Sequence, residues 1–423
     1  MTSVIVPITA PEATDAGRFG PKAANLAQLG RAGLPIPDGF CVDAEAYRVQ
    51  VAALGLEASA RDVDAAEPGT ARRAALAMRL ALFDQPIAPH LLEPLLEARR
   101  ALAQASASPL VVRSSALVED RFGSSFAGQF ESYLGLQDED DFVTAVRSCW
   151  AALWSTRVLR YMATRDASPA DTAMAILAQP LVAARVSGGG LSRTPDGDMV
   201  LNATWGLGSA IAQGEVVPER IVVTRDGALR DAVAGRGFHR LGCAHGARPA
   251  PSPRASERCL TPAQAAELAR LLRQAEDVMG APVEIEWAQD DSGFKLLQAR
   301  PLHLEPQRTP DEIWLRHPGL NGHPAGMGWG SGRACVVNCE CELGRVAPGD
   351  VLVTRVAGPA LGAVLPRVAG LVAELGGSTS HLASLARERG IPMVLGVLDA
   401  TRRIPDGVQV AVDGVAGVVR WMP

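Results

Sequence analysis

Apolar side chains recur at helical spacing through roughly the first 110 residues, clearly so in Ala71 to Leu82 and His90 to Ala103. A largely helical N-terminal part is expected. From Pro109 to about Pro301 the pattern changes to short apolar and β-branched runs, Leu110-Val111-Val112, Met174-Ala175-Ile176-Leu177, Ile221-Val222-Val223 and Val283-Glu284-Ile285-Glu286-Trp287. Gly-containing loops separate them, and Thr261 to Met279 returns to a helical pattern. The stretch Leu304 to Pro318 holds three prolines and several charges with little apolar content, which predicts an extended, solvated linker. Beyond about Gly319, Gly and Val dominate. Strands are predicted over Ala334 to Val337, Asp350 to Thr354, Val408 to Asp413 and Gly417 to Trp421, around one clear helix. The pattern as a whole predicts a mixed α/β (α+β) fold, with a larger domain over 1–303, a linker over 304–318 and a smaller α/β domain over 319–423.

Composition narrows the function classes. With 48% hydrophobic and 21% charged residues in 423, the chain is globular rather than disordered. A formal charge of −5 without any block of Lys or Arg argues against nucleic acid or an anionic membrane as partner. No apolar run reaches the roughly 18 to 20 residues that span a bilayer, and MTSVIVPITAPEATDAG lacks the features of a signal peptide, so a cytoplasmic location is expected. Seven cysteines suit reduced thiols. Cys335, Cys339 and Cys341 form a cluster that would share one face of a strand, either as small buried side chains or, with further ligands, around a metal.

The segment Gly376-Gly377-Ser378-Thr379-Ser380-His381 carries the clearest chemistry. Ser378, Thr379 and Ser380 offer N-caps, Leu382, Leu385 and Ala386 supply an apolar stripe, and Gly390 with Pro392 ends the helix. His381 therefore falls in the first helical turn. The positive end of the helix dipole disfavours imidazolium and favours an anion placed there, which are the requirements of a phosphohistidine. The residues alone leave a second reading open, a capping or packing histidine.

GGSTSHLASLARERGIPMVLG, with its spacing to VQVAVDGVAGVV, resembles the swivelling phosphohistidine domain of the phosphoenolpyruvate synthase, pyruvate phosphate dikinase and rifampin phosphotransferase family. The resemblance implies that His381 is transiently phosphorylated and that Thr379 orients it. FGPKAANLAQL and GLPIPDGF resemble the opening of the same family's ATP-grasp domain, which implies that Lys22 contacts ATP phosphates. VVRSSALVEDRFGSSFAGQF resembles its arginine and phosphate-loop segment. There Arg113 follows an apolar strand and can fork onto phosphate oxygens, while Gly123, Ser124, Ser125 and Gly128 let backbone N–H groups close over them. MAILAQPLV is similar to the strand beside adenine and brings Gln179 and Leu181 near the base. TWGLGSAIAQGEVVPER resembles a further family motif, one that buried strands and turns also explain.

In VEIEWAQDDSGFKLLQARP, Val283, Ile285 and Trp287 alternate with Glu284 and Glu286, predicting a half-buried strand with an acidic outer face. A three-residue loop, Asp291-Ser292-Gly293, would set Glu286 opposite Gln298 and Glu284 opposite Arg300. Such a patch suits Mg²⁺; the alternative reading is a surface hairpin with a cross-strand ion pair. The resemblance implies that Glu286 and Gln298 are metal ligands and that Arg300 contacts phosphate.

Together these resemblances imply an ATP-grasp domain followed by a small swivelling α/β phosphohistidine domain, with ATP and Mg²⁺ as cofactors. The chemistry implied is that of a dikinase which passes phosphate from ATP to His381 and onward, releasing AMP. The sequence ends at Pro423 soon after the histidine segment, and Arg300 and Gly319 lie too close together to enclose an acceptor-binding insertion. The direct acceptor is therefore expected to be a small hydroxylated molecule rather than pyruvate. Two alternatives are a phosphoryl-donor subunit whose acceptor site lies on another protein, and a non-catalytic nucleotide-binding relative.

Overall fold

The computed structural model describes residues 4–65, 68–106, 108–120, 126, 128–163, 167–235, 257–303, 314 and 316–422. The chain forms two compact units, Met1–Ala183 with Lys295–Arg300, and Ala184–Phe294 with Pro301–Pro423.

The first unit is built on an antiparallel sheet of five strands in the order Ile5–Pro7, Phe40–Val42, Met174–Pro180, Leu110–Ala116 and Ser132–Leu136. Leu110–Ala116 lies between two partners and is buried at every position except Arg113, so a near-continuous apolar run is what it needs. The predicted helical segments fall within Pro68–Asp84 and Pro89–Ser106. Asp43 and Asp138 cap Ala44–Ala53 and Glu139–Ala152, accepting from Glu45 N and Asp141 N. Phe19, Ala23 and Leu26 pack on Val6, Ile8, Cys41 and Leu177, each large side chain contributing about 1.5 to 3 kcal/mol on burial.

In the second unit, Val283–Asp290, Val186–Leu191, Met199–Trp205, Glu219–Val223 and Leu229–Val233 lie side by side in that order, all antiparallel. The register gives this sheet two distinct faces. Ile285 opposes Gly190, which opposes Leu201, and this apolar row meets the helix Pro262–Met279 through Leu272. Thr261 and Gln264 cap that helix reciprocally, and Gly280 ends it at φ 68°. Glu286 opposes Gly189, which opposes Asn202, and this row forms the other face.

A second sheet of this unit has eight strands, in the order Gly319–Asn321, Val418–Trp421, Gln409–Asp413, Trp329–Val337, Val351–Thr354, Gly370–Ala373, Met393–Leu395 and His323–Pro324. Its centre is parallel, from Ala334–Val337 through Val351–Thr354 and Gly370–Ala373 to Met393–Leu395. Those strands are buried along their length, and Val336, Val353, Val372, Val394 and Val412 fill a common core. The helix His381–Glu388 connects two parallel strands, so His381 lies beyond the carboxyl end of Gly370–Ala373, where open α/β sheets bind ligands.

Four expectations need correction. The three cysteines do not share a strand face, because the strand ends at Val337 and the chain turns into Glu340–Arg345. Cys335 is buried, Cys339 half-buried and Cys341 exposed, and among the described residues no cluster of three or more His, Cys, Asp or Glu side chains could hold a metal. Residues 304–313 and 315 of the expected linker lie outside the described residues. At its end Trp314 is buried and packs on His317 and Trp329 rather than being solvated. Asp291 and Ser292 alone separate the strands Val283–Asp290 and Gly293–Pro301, with Gly293 at φ 113°, so the turn is one residue shorter than expected. The strand Val283–Asp290 is also buried at Glu284, on the face expected to be solvated.

His323 pairs with Leu395 and is buried, and loss of solvation together with the field of Arg220 holds its pKa down to about 4. An ordinary histidine protonates nearer 6.5, so the unfolded chain binds the extra proton first as pH falls. The neutral ring's stabilising contribution is complete above about pH 6.5 and is lost toward about pH 4. Thermal melts at pH 7.5 and 5.0 should show His323→Gln removing on the order of 2 kcal/mol of the parent's acid sensitivity. Equal acid sensitivity in parent and variant would contradict this.

Candidate functional site

Two groups of polar side chains stand out. In the first unit, the helix Ala16–Arg31 is interrupted at Gly20, which adopts φ 74° and ψ 152°, and restarts at Pro21. A Cβ on Gly20 would run into the Ser115 carbonyl, so only glycine permits this approach. The restart brings Lys22 beside the strand Leu110–Ala116. Lys22 is buried, with Nζ 2.7 Å from Glu119 Oε1 and donating to Ser114 O at 3.0 Å.

Arg113, half-buried on the same strand, donates from Nη2 to Gln298 Oε1 at 2.9 Å and from Nη1 to Leu297 O. Gln298 Nε2 donates to Asp120 Oδ2 at 2.8 Å, and Arg300 Nη1 lies 3.9 Å from Asp120 Oδ1. Asp120, Gln298 and Arg300 are buried, and Asp120 adopts φ 51°, a left-handed conformation that Asp tolerates better than most residues. Three cations, Lys22, Arg113 and Arg300, thus stand among two carboxylates, Glu119 and Asp120. The guanidinium forks of Arg113 and Arg300, with Arg113 partly exposed, suit an anion carrying several oxygens.

Gly128, at φ 67°, lies in a turn after Phe126, whereas Gly123, Ser124 and Ser125 lie outside the described residues. Gln179 is buried on the strand next to that of Arg113, where it opposes Val111, and its Nε2 donates to Pro37 O at 3.0 Å. Half-buried Leu181 donates its N–H to Pro109 O at 2.8 Å.

In the second unit, Ser380 is the N-cap of His381–Glu388, its hydroxyl accepting from Ala383 N at 3.3 Å. His381 is the first helical residue and its side chain is half-buried. The preceding turn is held against the sheet that contains Met199–Trp205. Gly376 N donates to Val216 O at 3.0 Å, and Asn202 Nδ2 donates to Ser378 Oγ at 2.9 Å and to Thr379 Oγ1 at 3.1 Å. Further along the helix, Glu284 meets Arg387 Nη2 at 2.9 Å and accepts from Ser384 Oγ at 3.0 and 2.9 Å. Arg387 also donates to Ala325 O at 3.1 Å and to Ser378 O at 2.5 Å. Glu284 therefore serves the histidine helix, whereas Arg300 is beside Asp120. Glu286, two positions along, is half-buried on the same face.

Glu119, Asp120, Asn202, Ser384 and Arg387 escaped the sequence reading, which set Glu284 opposite Arg300. Glu119 and Asp120 had a signal, two acids directly after an arginine-bearing strand. Asn202 and Arg387 had none, since their partners are far away in the chain.

One unit thus carries a cluster of Lys22, Arg113 and Arg300, and the other a capped, half-exposed imidazole. Residues 16–316 match the family described as pyruvate phosphate dikinase, AMP/ATP-binding domain, and residues 346–417 match PEP-utilising enzyme, mobile domain. The chain belongs to the pyruvate phosphate dikinase AMP/ATP-binding family. Phosphoenolpyruvate synthase of Pyrococcus furiosus is 30% identical to it, over 96% of this chain and 57% of that protein. The corresponding values are 32%, 95% and 56% for phosphoenolpyruvate synthase of Aeropyrum pernix, and 30%, 95% and 55% for that of Escherichia coli. The chain thus spans little more than half the length of these relatives. Among the described residues no helix is long and apolar enough to cross a membrane.

Removing one member of a buried ion pair strands the other charge. Lys22→Met should therefore lower stability by about 3 to 5 kcal/mol, and adding Glu119→Gln should recover much of it. Denaturant melts of the single and double variants decide this. Equal loss in both would mean that the Lys22–Glu119 pair is not what holds this site.

Proposed function

We propose that this protein is a dikinase-type phosphotransferase in which ATP donates a phosphoryl group to His381, and His381 passes it to a second acceptor. The observation that carries the reading is His381 itself, the half-exposed first residue of a Ser380-capped helix within the segment matching the PEP-utilising mobile domain. A helix start keeps an imidazole neutral and nucleophilic and then stabilises the phosphate it has taken up.

On this reading Lys22, Arg113 and Arg300 bind the phosphates, and the loop of Gly123, Ser124, Ser125 and Gly128 closes over them with backbone N–H groups. Gln179 and Leu181 flank the base. Arg113 and Arg300 neutralise charge as it develops at the transferring phosphorus. Thr379, whose Oγ1 accepts from Asn202, has its own O–H left to orient the ring.

The first unit's oxygen donors suit a hard cation, since Gln298 offers a carbonyl oxygen beside the Asp120 carboxylate. Gln298 and Glu286 would hold Mg²⁺, with the remaining ligands coming from phosphates and water. When bound, the ion supplies further neutralisation of phosphate charge. We take the group transferred from the family's chemistry. A ring nitrogen of His381 attacks the β-phosphorus, the bond from that phosphorus to the α,β-bridging oxygen breaks, and AMP leaves. Water or phosphate then takes the γ-phosphoryl group, and the acceptor takes the one left on His381. Residues 319–423 would carry it there by swinging on 304–318, to a small hydroxylated acceptor.

Incubation with ATP and Mg²⁺ should give acid-labile phosphate on His381 together with AMP, and His381→Ala should abolish both. ADP release with an unmodified His381 would overturn the proposal. A turnover that needs a second protein would assign the acceptor site to that protein.

A further inference from the structure

We propose that Gly189, Asn202 and Glu284 form a seat that registers the turn before His381 for phosphoryl transfer, with Gly189 and Asn202 as positioning residues and Glu284–Arg387 as a releasable latch. This inference rests on the proposed phosphohistidine reading. It begins from an anomaly, three consecutive glycines, Gly188-Gly189-Gly190, inside a buried strand. Glycine weakens a strand interior, so each one calls for a reason. Backbone conformation is not the reason, because none of the three has a positive φ. A Cβ on Gly188 would overlap the Asn202 carbonyl, and one on Gly190 would press on Ile285 and Leu272, both within this sheet and its helix. Gly189 differs. The three nearest atoms to a Cβ there all belong to Thr379, the closest being Thr379 Cβ at 2.5 Å.

The bareness of Gly189 therefore makes room for a residue remote in sequence, two positions before the histidine. Asn202 completes the socket. It opposes Gly189 in the register, is wholly buried, and donates through Nδ2 to both hydroxyls of Ser378-Thr379. On the other side Gly189 is opposed by Glu286. Directly opposed residues of antiparallel strands lie about 4.5 to 5.5 Å apart. Thr379 thus sits on a row whose neighbouring member is Glu286, the carboxylate assigned above to the cation.

The latch has the energetics of a contact that can open. Glu284 and Arg387 are both buried, and Ser384 satisfies the carboxylate further. A buried ion pair forfeits hydration that both charges regain on separation, so it specifies geometry strongly while adding little net adhesion. Glycine, asparagine and paired charges at this contact suit a surface that must be met in one register and then left.

The test measures ATP-dependent labelling of His381 at saturating ATP and Mg²⁺, alongside ATP affinity and the chemical labelling of His381 by phosphoramidate, located by mass spectrometry. Phosphoramidate needs no seat. Gly189→Ala and Asn202→Ala should each slow labelling from ATP on the order of a hundredfold, the cost of roughly an ångström of misplacement. ATP affinity and phosphoramidate labelling should stay within about twofold of the parent. Parental rates of labelling from ATP in both variants would overturn the inference. Loss of phosphoramidate labelling in both would also overturn it, because the residues would then be structural. Should Gly189→Ala fail to fold, Asn202→Ala decides alone. A parent that takes no phosphate from ATP marks failure of the function proposal instead.

Discussion

A charge taken out of water must be met by an opposite charge or by well-placed dipoles, and that requirement organises both groups of buried polar side chains in this molecule. Lys22 meets Glu119, Arg300 lies beside Asp120, and Arg387 meets Glu284, all six groups being buried. Such pairs contribute little net stability compared with the apolar core around them. Their value lies in geometry, because each charge is tolerated only where its partner is. In the first unit the pairing sets Lys22 and Arg300 beside the adjacent acids Glu119 and Asp120. In the second unit the pairing is balanced, and what it fixes is the helix that begins at His381.

The sheet around Val283–Asp290 shows how one strand serves two purposes. Along Val283–Asp290, alternate residues point to opposite faces. Ile285 and Trp287 help fill the core on one side, Trp287 meeting Phe294 edge-on at 5.5 Å. Glu284 and Glu286 point to the other side, toward the segment that carries the histidine. The alternation that makes the strand fold is thus the same alternation that presents its carboxylates. A one-residue slip of register would bury both acids in the core, so the packing of Trp287 helps to hold their placement.

Much of the architecture was legible along the chain because it depends on local periodicity and local capping. The helix at His381, with its Ser380 cap and its end near Gly390, follows from residues within one segment, as does the strand pattern of Val351–Thr354, Gly370–Ala373 and Met393–Leu395. Two of the misreadings share one cause, which is burial by something distant. Trp314 looked solvated amid prolines and charges, yet Trp329 covers it. Glu284 looked like a surface acid, yet the histidine helix lies over it. The cysteines looked collinear because periodicity was carried past Val337, where the chain turns.

The sequence by itself determined the family, the order of elements, and the histidine poised at the start of a helix, since each depends on neighbours in the chain or on a motif read as a unit. Only the tertiary structure decided which groups answer one another. It joined Arg113 to Gln298, Asn202 to Thr379 and Glu284 to Arg387, and it gave Gly189 its reason for lacking a side chain. The cost of an unpaired charge or an overlapping methyl group depends on what lies opposite in space, and spacing along a chain carries no record of that.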